Sequence, residues 1–276
     1  MTNTARMLPR GVLTSTVFGT AGAACGWLLL GVWPRLTTSY TRLDQLAALT
    51  VGAAVGAAIL GAREFRQRGD VTFSAISGSL LGGVGALAGA SPFLFIHAAA
   101  SPRVFLLERT AAWALAAAAS VLCLNAFLDP RPARGRLRES VLLAAVGGAI
   151  SGVIYTLPGA SDVWQAVALL WWGGSVGFAL GGPELWHAAA VVEALPHRGR
   201  EASLLSLREW PLYDQRTLVL GEAKLACRDG RIALYPPAGG VIADGRHIRE
   251  ARWLTASATV AVGRSRYRIN LLRPRV

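Results

Sequence analysis

The chain has 276 residues, 53% of them hydrophobic and 16% charged, with a formal net charge of +12 and a mean hydropathy of +0.42. Soluble domains carry closer to a quarter charged residues, so the composition excludes an ordinary water-soluble globule. The charge is uneven, with 15 Lys+Arg against 7 acids in residues 197–276 and 13 Arg against 9 acids in residues 1–196. Two regions suited to different solvents follow: a membrane part over 1–196 and a small basic domain over 197–276.

Six apolar stretches can be drawn, at 11–34, 45–62, 71–96, 110–128, 140–158 and 163–183. Each is near the roughly 20 residues that cross a hydrocarbon layer as helix, and a helix satisfies its own backbone polar groups there. The first follows "ARMLPR" and runs on through "WLLLGVW" with no small-residue cleavage site. It is therefore expected to be a retained span rather than a signal peptide. Arginines then alternate along the chain. Arg6 and Arg10, then Arg63, Arg66 and Arg68, then Arg131, Arg134, Arg136 and Arg138 outnumber Arg35, Arg42, Arg103 and Arg109 in the intervening loops. By the positive-inside rule both termini are expected in the cytoplasm. One lysine, Lys224, against 27 arginines points to a GC-rich bacterial genome, hence to a multi-pass protein of a bacterial inner membrane.

The third stretch contains "GSLLGGVGALAG", residues 78–89. A phosphate-cradling loop would end a strand and open a helix, but no residue from Val71 to Ile96 is charged. Helices in lipid associate through close backbone approach at small residues, so Gly78, Gly82, Gly85 and Gly89 are expected to form a packing face. The same reading covers Gly22/Gly26, Gly52/Gly56, Gly148/Gly152 and Gly173/Gly177/Gly181. Gly78 and Gly148 each follow an arginine, Arg68 and Arg138, by ten residues, which predicts three helical hairpins of one repeated kind. Spacing alone leaves open whether these faces pack within one chain or between chains.

The six stretches as drawn hold no ionisable residue; His97, Glu108, Arg109, Glu184 and His187 lie at or beyond their ends. No HExxH or GxSxG occurs, and Cys25, Cys123 and Cys227 show no metal-type spacing. Trp171 and Trp172 fall mid-span, where packing is the expected role. Neither catalysis nor a metal nor a cofactor is expected. A solute path could be lined only by hydroxyls such as Thr14, Ser15, Thr16, Ser74, Ser77 and Ser79. The leading expectation is an assembly or regulatory subunit in contact with membrane lipids and at least one protein partner. The alternative is a small-solute channel or uncoupled transporter built from the three hairpins.

After "EALPHRGR" the pattern becomes short and alternating. "KLACRDGRIALY" reads as a hairpin turning at Asp229-Gly230, "GVIADGRHI" as one turning at Asp244-Gly245, and "TVAVGRSRYRINL" turns at Gly263-Arg264. With "LLSLREWPL" and "RTLVLG", about seven strands are predicted, a small all-β sandwich or barrel. The order of these features over roughly 203–271 resembles the forkhead-associated (FHA) domain. There, a "REWPLYDQRTLVLG"-like strand leads to a Gly-Arg turn; a hairpin, an Asn-Gly turn and a last strand pair follow. The resemblance implies a sandwich that binds protein through loops, here Gly221, Glu222, Asp244, Gly245 and Arg246. The family's Gly-Arg is Gly221-Glu222 in this chain, its Ser-x-x-His stretch is missing before Ala226, and its Asn-Gly is Asp244-Gly245. Acids in place of phosphate-holding donors imply that no phosphothreonine peptide is bound. Arg264, Arg266 and Arg268 alternate and so share a strand face, expected to meet anionic headgroups or an acidic partner. The domain has few candidate stacking aromatics (Trp210, Tyr213, Tyr235, Trp253, Tyr267) and no RNA-binding signature, so nucleic acid is not expected.

Overall fold

The computed structural model of the chain describes residues 10–30, 40–67, 70–94, 102–128, 134–156, 162–195, 209–214, 216–263 and 265–272. The chain divides into two compact units, Met1–Pro183 and Glu184–Val276.

The first unit is built from helices α1 (Arg10–Leu30), α2 (Tyr40–Gln67), α3 (Val71–Leu94), α4 (Pro102–Leu128), α5 (Arg134–Thr156) and α6 (Asp162–His187), the last continuing into the second unit. All six are long and apolar enough to cross a membrane. Local signals set several ends. Asp70 caps α3, its Oδ1 accepting the Phe73 amide at 2.9 Å, and Pro102 occupies the first position of α4, where no amide is needed. One expectation fails at α5. Its membrane-length segment, Arg134–Thr156, starts before residue 140 and takes in Arg136, which is 4% exposed. Arginine is a good helix former, so the residues counted as loop charge continue the helix.

Successive helices run antiparallel. Stepping from Gly52 to Gly56 on α2 steps back from Gly82 to Gly78 on α3, and from Gly148 to Gly152 on α5 steps back from Ala114 to Thr110 on α4. The same reversed register holds between α1 and α2, between α3 and α4, and between α6 and α1. Gly147 of α5 meets Ser175 of α6, so each helix touches the next and the last touches the first. Burial alternates around this circuit. The apolar windows of α2, α4 and α6 are each 44% buried, against 28% for α1 and 33% for α3 and α5. All six helices contribute to one apolar cluster containing Val55, Leu60, Val121, Leu124, Trp172 and Val176. Large side chains also point outward, among them Leu13, Phe73, Leu80, Leu122, Val146 and Trp171.

The second unit is a sandwich of strands β1 (Ala188–Leu195), β2 (Glu209–Tyr213), β3 (Thr217–Leu220), β4 (Ala223–Arg228), β5 (Arg231–Tyr235), β6 (Val241–Ala243), β7 (Arg246–Ile248), β8 (Arg252–Leu254), β9 (Ala258–Val262) and β10 (Ser265–Leu271). They form a six-stranded sheet, β2-β1-β10-β9-β6-β7, and a four-stranded one, β3-β4-β5-β8, antiparallel at every pairing. Val192, Leu212, Leu225, Ile232, Leu234, Val260 and Ile269 are fully buried in the core between the sheets. Among the described residues there are ten strands, against about seven predicted. The domain boundary also lies earlier than 196, because β1 pairs with both β2 and β10. Its sequence, "AAAVVEAL", starts directly after α6 with no turn residue between and lacks the polar alternation of the later strands, which disguised it. Asp229 and Gly230 have φ of 52° and 71°, and Asp244 and Gly245 have 48° and 78°. Two successive positive values are the type I′ geometry that matches strand twist in a two-residue hairpin.

Candidate functional site

The glycines singled out from spacing all fall at contacts between helices of this one chain. Gly52 and Gly56 of α2 meet Gly82 and Gly78 of α3 backbone to backbone. A Cβ added to Gly26 would lie 2.9 Å from the Val51 Cα, and one on Gly22 would lie 2.8 Å from the Val55 Cα. Gly85 and Gly89 face the α4 backbone at Ser120 and Leu115, while Gly148 and Gly152 face it at Ala114 and Thr110. Gly173, Gly177 and Gly181 of α6 meet α1 at Gly19, Thr16 and Val12. Four participants escaped the pattern: Gly19, opposite Gly173; Gly83, against Leu49 and Ala53; Gly147, against Ser175; and Gly174, against Thr20. Gly19 stands three residues before Gly22, a spacing that the four-residue rule passes over.

Several helix hydroxyls bond to backbone, whereas the buried Thr110 and Ser140 hydroxyls have no hydrogen-bond partner among the described residues. Thr16 donates to the Val12 carbonyl at 2.9 Å, Thr20 to Thr16 at 3.0 Å and Ser151 to Gly147 at 3.0 Å, each four residues back on its own helix. Ser120 reaches across to the Gly82 carbonyl at 3.2 Å. Trp172, buried, donates its indole N–H to the Trp113 carbonyl at 3.4 Å, whereas Trp171 is half exposed. The Arg109 guanidinium lies 5.4 Å from the centre of the Tyr155 ring, which packs against Trp113. Among the described residues no three metal-binding side chains come together.

In the sandwich, the predicted binding turns separate into two places. Gly221, with φ of 62°, and the exposed Glu222 join β3 to β4, and a Cβ at Gly221 would lie 3.6 Å from the Val262 side chain. Asp244, Gly245 and Arg246 are exposed or at the surface in the β6–β7 hairpin. The Asp244 carboxylate accepts the Thr259 amide at 2.8 Å, and its own amide donates to the Thr259 carbonyl at 2.9 Å. Val262 and Thr259 are three residues apart on β9, about 10 Å at the usual rise per strand residue. Asp244 therefore ties a hairpin to β9 at the end away from Gly221. Nearer Gly221 is the Pro237–Gly240 turn, because β6 starts beside Val262 in the observed register. A third carboxylate, Asp214, accepts the Gly230 amide at 3.3 Å and the Cys227 thiol at 3.6 Å, linking the end of β2 to the β4–β5 hairpin. Burial, with the Asp214 carboxylate second, pushes the Cys227 thiol up to about 11.

Of the predicted basic face, Arg264 lies outside the described residues. Arg266 and Arg268 are exposed on the outer side of β10. Arg268 pairs directly with Glu193 of β1, whose Oε1 accepts the Asn270 amide at 3.0 Å. That face carries both signs. Compared with known proteins, the chain matches no family model, no curated protein and no solved structure.

Proposed function

We propose that this is a non-catalytic assembly or regulatory subunit of a bacterial inner-membrane complex. Both termini face the cytoplasm, and the sandwich is an FHA-like module that binds a protein. One observation carries the reading: the interior of the helical unit is built mainly from apolar side chains and backbone contacts, with Asn125, Arg136 and four serines (Ser74, Ser120, Ser140 and Ser151) the polar side chains buried among them in the described residues. A packed interior leaves outward surfaces, helical and sandwich, as the places for interaction. The glycines serve contacts inside the chain, so a partner's helices would meet large outward residues such as Leu80 and Val146 instead. The alternation of more and less buried helices supports the three-hairpin reading. The FHA-like reading is supported by the chain order of the features that carry the resemblance: the Gly221-Glu222 turn, the Asp229-Gly230 hairpin, the Asp244-Gly245 hairpin and the closing β9–β10 pair. Glu222 and Asp244 are acids, and Asp244 is held by β9, so protein contact without a phosphate is the expected mode.

The test is extraction of the full chain from its native membrane in mild detergent and weighing of the intact assembly by native mass spectrometry. A second polypeptide at fixed stoichiometry is expected. Flux of a defined solute through proteoliposomes holding this chain alone would overturn the reading in favour of the channel.

A further inference from the structure

The two outer faces of the sandwich differ in a way the sequence did not disclose. Residues whose neighbours on the strand enter the core point outward. On the four-stranded sheet this rule selects Val219 of β3, Lys224 and Arg228 of β4, Arg231 and Tyr235 of β5, and Trp253 of β8, all exposed. The register brings them into rows. Val219, Lys224 and Tyr235 lie in line across three strands, Arg228 stands beside Arg231, and Trp253 pairs with Ala233. Ala233 points outward yet is only 4% exposed, while Trp253 is 50% exposed, as when an indole lies across the face. Among the described residues no acid projects from this face; Glu222, Asp229 and Glu250 are confined to the connections between strands. The other sheet sets Glu193 against Arg268.

We propose that the outer face of the four-stranded sheet docks on an anionic lipid surface, resting on the membrane reading above. Cations flanking exposed Tyr and Trp match the composition of a membrane–water interface, where ring bodies enter the headgroup layer and charges meet lipid phosphates. A single-sign face excludes a basic partner. Continuity with six membrane-length helices keeps a lipid surface at high effective concentration, an advantage no free anionic macromolecule has. Each cation favours the anionic surface roughly fivefold, so the three together multiply to on the order of a hundredfold.

The test places a nitroxide label at Val219, which is 61% exposed, in the full chain carrying Val219→Cys, Cys25→Ala and Cys123→Ala. Cys227 is retained because it is buried. The labelled protein is reconstituted in nanodiscs of neutral phosphatidylcholine or of an equal mixture with anionic phosphatidylglycerol. Relaxation by oxygen against a water-soluble nickel complex reports depth. Immersion of the label in anionic but not neutral nanodiscs is expected. It should be lost with Lys224→Gln, Arg228→Gln and Arg231→Gln together, and weakened by Trp253→Ser. A label equally aqueous in both lipids overturns the proposal. So does one equally shielded in both and indifferent to the glutamines, or one shielded only when a protein or nucleic acid is added. Failure of docking with a stable partner still present would sink this proposal and leave the subunit reading standing.

Discussion

The helical unit and the sandwich each have an apolar core, but they differ in what stands on the surface and in what makes the closest contacts. In the sandwich the bulk is inside: Leu225, Ile232, Leu234 and Ile269 fill the core, while charged residues such as Lys224 and Arg228 stand on the surface. In the helical unit the closest approaches are made by glycine, and residues such as Leu80, Leu122 and Trp171 point outward. Water explains the first arrangement, since removing apolar surface from it stabilises by about 25 cal/mol per Å². Lipid explains the second. Burying a leucine among helices gains little when the solvent is hydrocarbon, so backbone proximity and dispersion must do the holding. Large apolar side chains are thus confined mainly to the core in the sandwich, whereas in the helical unit they stand both inside, as Leu60 and Leu124 do, and on the surface.

The contrast can be broken most forcefully on the sandwich side. Leu225→Ala truncates a fully buried side chain to a methyl, and should cost roughly 2–5 kcal/mol. The loss should appear as earlier unfolding of the sandwich in urea, with the helical signal unmoved. On the helical side the rule inverts, and adding one methyl does the damage. Gly56→Ala puts a Cβ against the Gly78 carbonyl and 3.1 Å from the Gly82 Cα, both backbone. Neither α2 nor α3 can yield there by a side-chain rotation, so about 1–3 kcal/mol of destabilisation is expected, read as a lower melting temperature in detergent. A neutral Gly56→Ala together with a costly Gly56→Leu would mean that the helices pack more loosely than the backbone contacts require.

Much of this was legible because each unit carries its own kind of sequence pattern. Uncharged runs of membrane length located all six helices, and Asp-Gly dipeptides located both type I′ hairpins. What escaped did so for physical reasons. The strand Ala188–Leu195 is buried over much of its length, so it lacks the polar alternation that marked its neighbours. Arg136 was counted with the loop because its charge speaks for water, whereas helix propensity and packing place it at a buried position of α5. The aromatic–cationic face depends on pairing across β3, β4, β5 and β8, and Trp253 stands 20 residues after Ala233, its partner. A spacing rule sees only neighbours along one strand. The arginines it did find, 266 and 268, turned out to share their sheet with Glu193.

A pH titration separates the units without any substitution. The Cys227 thiol is raised from an ordinary value of 9.0 to about 11, by burial and then by Asp214. The folded sandwich therefore holds the proton more tightly than the unfolded chain does. Its contribution to stability is complete below pH 9 and is lost as pH rises toward 11. Urea midpoints of the sandwich should fall across that window, and Cys227→Ala should flatten this part of the decline. Native Cys227 should also resist iodoacetamide near neutral pH and react once urea unfolds the domain.

The smallest expected effect has the opposite sign and is the finest test of the packing rule. Gly61 is a buried glycine on α2, the helix that carries Gly56, but the nearest atom to a Cβ there is the Ala75 Cβ at 3.4 Å, ordinary van der Waals contact. Its φ is not in the left-handed region, so alanine fits the backbone as it stands. Replacing a mid-helix glycine by alanine restricts the unfolded chain and favours the helix by up to about 1 kcal/mol. Gly61→Ala should therefore raise the melting temperature slightly, where Gly56→Ala, five residues away, lowers it. Equal destabilisation by both would mean that the two helices are pressed together along their whole length, with Gly56 and Gly78 no longer the point of closest approach. Opposite signs would show that backbone contact at particular positions, rather than glycine content, holds this helical unit together.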